Sequence, residues 1–171
     1  MAKKPRGPAP ALNKRRAARF AAVQALYQLE LGQSDVRSVV VEFGEHRLAS
    51  LLEPLELQLA PPVVDRDWFR AVVFGVAAAR DRLDPEIEAC LAPGWTLARC
   101  GYLLRACLRA GAFELAERTD VPVKVVINEY VEVAHLFFEG GEPAFVNAVL
   151  DRLAPRLRPV AAAAEPEGDG P

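Results

Sequence analysis

The stretch DRDWFRAVVFGVAAARDRLD, residues 65–84, decides the fold class. Trp68, Val72 and Val76 fall four apart, and Phe69 and Val73 form the next line, so all five share one side of a helix. A strand would need apolar residues every second position instead. The helix opens near Asp65. Pro85 follows Asp84, and because proline suits a helix start, the reading closes a third helix at Asp84 and opens a short fourth at Pro85.

Working back from residue 65, Pro61 and Pro62 punctuate a long loop, and a second helix, capped by Ser34 or Asp35, must stop before Pro54. A first helix opens at Asn13 and runs to about Leu31, where Gly32 ends it. Working forward, Thr96 caps a fifth helix to about Glu117. Its inner face is Cys100, Leu103, Leu104, Cys107, Leu108, Gly111 and Leu115, with Arg99, Arg105 and Arg109 around the polar side. A sixth starts at Asp120-Val121-Pro122, carries Val123, Val126, Ile127, Val131, Ala134 and Phe138, and ends at Gly140-Gly141. Pro143 opens a seventh with Phe145, Val146, Val149, Leu150 and Leu153, stopped by Pro155. The expectation is an all-α bundle of about seven helices.

The chain has 171 residues, 51% apolar and 26% charged, which suits one globular domain with room for a core. No run of eighteen apolar residues lacks a charge, and the start is basic and proline-broken, so neither a membrane span nor a secretory signal is expected and the location is read as cytoplasmic. Residues 1–12 read as a disordered basic arm, 13–157 as a single helical domain and 158–171 as a disordered tail of alanine, proline, glycine and acid. Cys90, Cys100 and Cys107 are too widely spaced for a metal clamp and odd in number for a closed disulfide set. With only His46 and His135 beside them, no metal site and no cofactor are expected; the cysteines read as small core residues.

Charge is where the sequence points to a partner. Residues 1–29 hold seven bases and no acid, whereas the other 142 residues carry 14 bases and 23 acids. Lys14-Arg15-Arg16 and Arg19 run straight into the first helix, with Arg15 and Arg19 one turn apart on one face. Cations at a helix start oppose the macrodipole by about 0.3–1 kcal/mol each, and a bound phosphate backbone would reverse that sign. Nucleic acid is therefore favoured over an acidic protein partner or a plain solvated arm, and single-stranded RNA over a duplex, because there is one basic cluster and no basic recognition helix.

Catalytic signals are weak. There is no Gly-x-Ser-x-Gly and no phosphate-cradling glycine loop, and Glu129 and Glu132, three apart, read as a solvated acidic face. Asn128, among Val125, Val126 and Ile127, and Asn147, after Phe145 and Val146, read as buried amides tying helices together. Gly111 reads as a close helix contact. Tyr27 and Phe145 stay open between core and a base-stacking face.

Four motifs in order resemble the NusB family of transcription antitermination factors: Arg15-Arg16-Ala17-Ala18-Arg19 with Ala22-Val23-Gln24-Ala25-Leu26-Tyr27, Leu108 to Leu115, Val121 to Glu129, and Phe145 to Asp151. The likeness spans about Lys14 to Pro155. It implies two small helical subdomains, no catalytic activity, and binding of boxA-type nascent RNA together with the ribosomal small-subunit protein NusE. It also implies action with the RNA polymerase elongation complex and other Nus factors to read through terminators, notably in rRNA operons. Lys14, Arg15, Arg16 and Arg19 match the family's RNA-binding start; Tyr27 matches an aromatic at the RNA and partner surface, and Phe145 one near the RNA. Leu104, Gly141 and Ala148 depart from the family pattern. A related reading is a stand-alone rRNA-recruiting module, similar to the domain that precedes some rRNA cytosine methyltransferases. Whether the free protein forms a homodimer is left open.

Overall fold

The computed structural model describes residues 13–48 and 64–159. The expected basic arm, the end of the second helix, the Pro61-Pro62 loop and the tail beyond residue 159 lie outside the described residues. Six α-helices stand among those described: α1 (Lys14–Leu31), α2 (Val36–Glu42), α3 (Arg66–Glu88), α4 (Tyr102–Glu117), α5 (Val123–Phe137) and α6 (Glu142–Leu157). A π-type turn, Phe43–Arg47, continues α2, and a 3₁₀ turn, Leu97–Cys100, precedes α4. The all-α class expected from the sequence holds.

The helix starts obey local chemistry. Asn13, Asp35 and Asp65 each accept the backbone N–H three residues on, from Arg16 at 2.8 Å, Ser38 at 2.8 Å and Trp68 at 3.0 Å, so orphan donors of α1, α2 and α3 are met. Asp65 N–H also donates to Lys14 O at 3.0 Å, which pins the start of α3 beside the start of α1.

Three boundaries differ from the sequence reading. Pro85 lies inside α3 rather than opening a fourth helix. The bond it removes belongs to the carbonyl of Asp81, an exposed residue that water can reach, while Leu83 and Ile87, both fully buried, hold the helix to the core on either side of the proline. Pro155 likewise lies within α6. Thr96 caps the 3₁₀ turn without a side-chain bond, and α4 begins only after Gly101; Arg105 Nη1 holds that turn through Leu97 O and Ala98 O.

Arg158 follows the last residue of α6. The Arg158 guanidinium donates to Glu114 O, Leu115 O, Arg118 O and Val121 O, which ties the end of α6 to the end of α4 and the turn that follows it.

α4 is the central helix, packed against α1 and α3 on one side and α5 and α6 on the other, and one apolar cluster runs through both groups. Ala17, Ala18, Ala21, Ala22 and Ala25 are all fully buried, so α1 approaches its neighbours closely. Trp68, Phe69, Val72, Val73 and Val76, the residues that decided the reading, all lie in the core. Cys90 and Cys107 are buried as expected; burial pushes the Cys107 thiol up to about 12, so it stays protonated and inert.

Two glycines mark the tightest crossings. A Cβ on Gly111 would meet Leu150 Cδ1 at 2.8 Å, the close contact expected there, and one on Gly75 would meet Phe113 ring carbons at 2.1 and 2.3 Å. Alanine would gain about 1 kcal/mol of helix propensity at position 75. Because the Phe113 ring has core on every side, Gly75→Ala is expected to destabilise by about 1–3 kcal/mol net. Urea denaturation measures it; a variant as stable as the parent would mean that the ring moves aside.

Candidate nucleic-acid interface

The basic start of α1 is built on its Asn13 cap, and its four cations meet different fates. Lys14 is exposed. Arg15 is 48% exposed, with Nε 3.8 Å from Asp65 Oδ2 and its guanidinium carbon 4.0 Å from the Trp68 ring centroid. Arg16 turns toward α5, where Nε and Nη2 donate to Glu129 Oε2 and Oε1 at 2.9 and 2.8 Å. Arg19 turns inward and donates through Nε and Nη2 to Glu114 Oε2 and Oε1 at 2.9 and 2.8 Å.

Glu114 is the centre of a buried network. Besides Arg19 it accepts the Tyr130 hydroxyl in a short bond and Trp68 Nε1 at 3.4 Å, so one carboxylate joins α1, α3, α4 and α5. The Arg19 and Glu114 side chains are 3% and 0% exposed. Burial alone would lower the pKa of Arg19; the hydrogen bond and charge of Glu114 outweigh it, and the net shift is upward. Burial, then the Glu114 charge, push the Tyr130 hydroxyl well above its ordinary value, so it remains a donor. The hydrogen bond that Arg16 donates to Glu129 leads in raising its pKa.

Several expectations need correction. Arg19, expected at the RNA, has its side chain 3% exposed and paired with Glu114. Glu129 is no part of a solvated acidic face: it holds Arg16 and lies 3.6 Å from Arg19 Nη1. The reversal of the unfavourable dipole term assigned to a bound phosphate is thus already supplied, within the chain, by two carboxylates. Arg109, placed on the polar side of its helix, is buried and donates to Asp84 Oδ1 and Oδ2 at 2.8 Å each and to Glu30 in a short bond.

Asn128 and Asn147 are exposed, not buried. Asn128 shares its outward side with Val125, three residues back, while Val126, Ile127 and Tyr130 face the core.

Tyr27 is half-buried and lies thirteen residues from Lys14, about 20 Å along α1, so it is not part of the arginine cluster. Phe145 is half-buried near the start of α6 and packs on the edge of the core. The structure therefore joins Arg15, Arg16 and Arg19 around Trp68, Glu114 and Glu129, and leaves the two aromatics elsewhere.

Sequence reasoning missed Trp68 and Arg118 as members of this cluster. Arg118, at the end of α4, holds its guanidinium carbon 4.1 Å from the Trp68 centroid and pairs with Asp120 through two 3.0 Å bonds. The signal for Glu114 was present: one acid in the apolar run Gly111-Ala112-Phe113-Glu114-Leu115 needs a buried cation, and an arginine on another helix is the natural donor. No helix among the described residues is long and apolar enough to cross a membrane.

Comparison with known proteins places this arrangement in a family. The NusB family profile matches residues 16–155. The chain is 49% identical over 151 residues to the transcription antitermination protein NusB of Rhizobium rhizogenes, covering 88% of this chain and 92% of that one. It is 51% identical over 146 residues to the protein of the same name from Sinorhizobium fredii, with 85% and 89% covered. The solved structure of T. maritima NusB superposes with a TM-score of 0.63 at 26% identity, over 87% of this chain and 96% of that one. The structure of antitermination factors NusB and NusE in complex with dsRNA shares the fold, with a TM-score of 0.64 at 20% identity over 84% and 97%. With a profile spanning almost the whole described body and relatives about half identical to it, the chain belongs to the NusB family.

Proposed function

We propose that the chain is a non-enzymatic, RNA-binding transcription antitermination factor that takes boxA-type single-stranded RNA together with NusE. In this reading it acts within the RNA polymerase elongation complex to promote read-through, notably of rRNA operons. The observation that carries the reading is the near-half identity, over most of both chains, to transcription antitermination proteins. Two further facts support it: Lys14 and Arg15 lie exposed at the start of α1, and a protein of this fold has been solved with NusE and dsRNA.

In this reading the cations divide the work. Lys14 and Arg15 are positioned to neutralise phosphates directly, which orients a strand without reading its bases. Arg19 acts through structure, by holding α1 against α4 and α5.

Affinity for a boxA-like single strand should fall steeply as salt rises from about 50 to 200 mM, with the log-log slope losing about 0.7 for each phosphate contact removed. Lys14→Ala with Arg15→Ala should therefore weaken binding to RNA of any sequence and flatten the slope by about 1.4. A fluorescence titration with and without NusE, repeated with a duplex of the same sequence, measures this. Absence of binding near 50 mM salt in either case overturns the reading.

A further inference from the structure

We propose that Glu129 is a carboxylate that RNA displaces: a phosphate of the bound strand takes the Arg16 guanidinium, and Glu129 passes from Arg16 to Arg19. The proposal rests on the RNA-binding reading above.

Two arginine–glutamate pairs, three residues apart on α1, differ in access. The Arg19–Glu114 pair is closed to solvent, and Glu114 is bound also by Tyr130 and Trp68, so withdrawing Arg19 would strand a buried carboxylate. The Arg16–Glu129 pair is partly open to solvent, with side chains 12% and 14% exposed, and Arg16 directly follows the exposed Lys14 and Arg15 in α1. The two pairs therefore separate a permanent contact from an exchangeable one.

The second observation is the position of Glu129 between two cations. Its Oε2 lies 2.9 Å from Arg16 Nε and 3.6 Å from Arg19 Nη1. Releasing Arg16 does not leave the carboxylate unpaired, since a small movement completes its contact with Arg19. The Arg16 Nε and Nη2 groups that bind Glu129 present two parallel N–H groups, the geometry that suits a phosphate as well as a carboxylate. Glu129 thus keeps Arg16 in a phosphate-ready orientation in the free chain and sets the threshold that a ligand must exceed.

Glu132, one turn further along α5, acts on Arg16 through its charge. It is the natural control, because Glu132→Gln removes the same charge as Glu129→Gln and leaves the Glu129–Arg16 bonds in place.

The experiment compares the full-length parent, E129Q and E132Q for affinity toward a boxA-like single-stranded RNA at fixed salt. It also follows the arginine Nε–H signals of the 15N-labelled parent by NMR as RNA is added. E129Q should bind several-fold tighter than the parent, and E132Q should gain less than half as much. The Arg16 Nε–H signal should move on saturation, while that of Arg19 stays on Glu114. An E129Q gain no larger than that of E132Q, or an Arg16 signal unmoved with RNA bound, overturns the proposal and leaves RNA binding standing. A parent that binds no RNA near 50 mM salt overturns both. If E129Q does not fold, the NMR titration of the parent decides alone.

Discussion

Glu114→Ala should lower the stability of the chain by about 3–5 kcal/mol, since it leaves a buried arginine with its main counter-charge removed. At this size that is a fall in Tm of about 6–20 °C. The loss has three parts. Arg19, 3% exposed, loses two charge-assisted bonds; the Tyr130 hydroxyl and Trp68 Nε1 lose their acceptor. Glu129, 3.6 Å from Arg19, offsets a part by moving inward, which sets the lower end of the range. Arg19→Met in the same chain should recover stability, because the uncompensated charge goes with it while the stem still fills its space. Urea denaturation of the two single variants and the double tests this. A loss under about 1 kcal/mol for Glu114→Ala would mean that the network is not what joins α1 to α4.

The second large effect lies at the other end of α1. Arg109→Met should cost about 3 kcal/mol at neutral pH, the lower end for a broken buried pair, because Glu30 and Asp84 lose the cation hydrogen-bonded to both, while Arg80, 3.7 Å from each, and Arg105 on Glu30 remain as counter-charges. Burial pushes the Glu30 carboxyl upward, but hydrogen bonds from Arg109 and then Arg105 outweigh it, and the net value lies below the ordinary carboxylate range. A lowered folded-state pKa contributes stability that is present above the unfolded pKa, about 4.3, and is lost as pH falls through the folded value. The gap between parent and Arg109→Met should therefore be widest at neutral pH and narrow below about pH 4 as the Glu30 carboxylate takes up a proton. Denaturation at pH 7 and pH 3 measures it. A gap that is constant, or widens in acid, would show that Arg109 acts by packing alone.

These networks explain which parts of the site were readable. Arg16 and Arg19 were correctly singled out as unusual in a helix start, and the unfavourable dipole term was the right physical question. The answer required knowing that Glu114, 95 residues from Arg19, and Glu129, 113 residues from Arg16, arrive at the same place. Arg109 fell on the wrong side for the same reason. Arginine scores as polar in a periodicity argument, although a guanidinium bound to two carboxylates is buried at little cost. Asn128 and Asn147 failed in the opposite sense: apolar neighbours in the chain do not mean apolar neighbours in space when the helix turns the amide outward.

What the chain determined by itself was local and periodic. The cap at Asn13 and the lines of Trp68, Val72 and Val76 depend on residues within a few turns, or on a periodicity that any buried helix must satisfy. What only the tertiary structure decided was where each charge goes and whether a proline ends a helix. Pro85 is carried because Leu83 and Ile87 are buried on either side of it, and Arg19 is internal because three helices converge on one carboxylate. Both outcomes are balances between a local preference of a few kcal/mol and a burial or pairing energy at least as large, and the second exists only once distant segments have met.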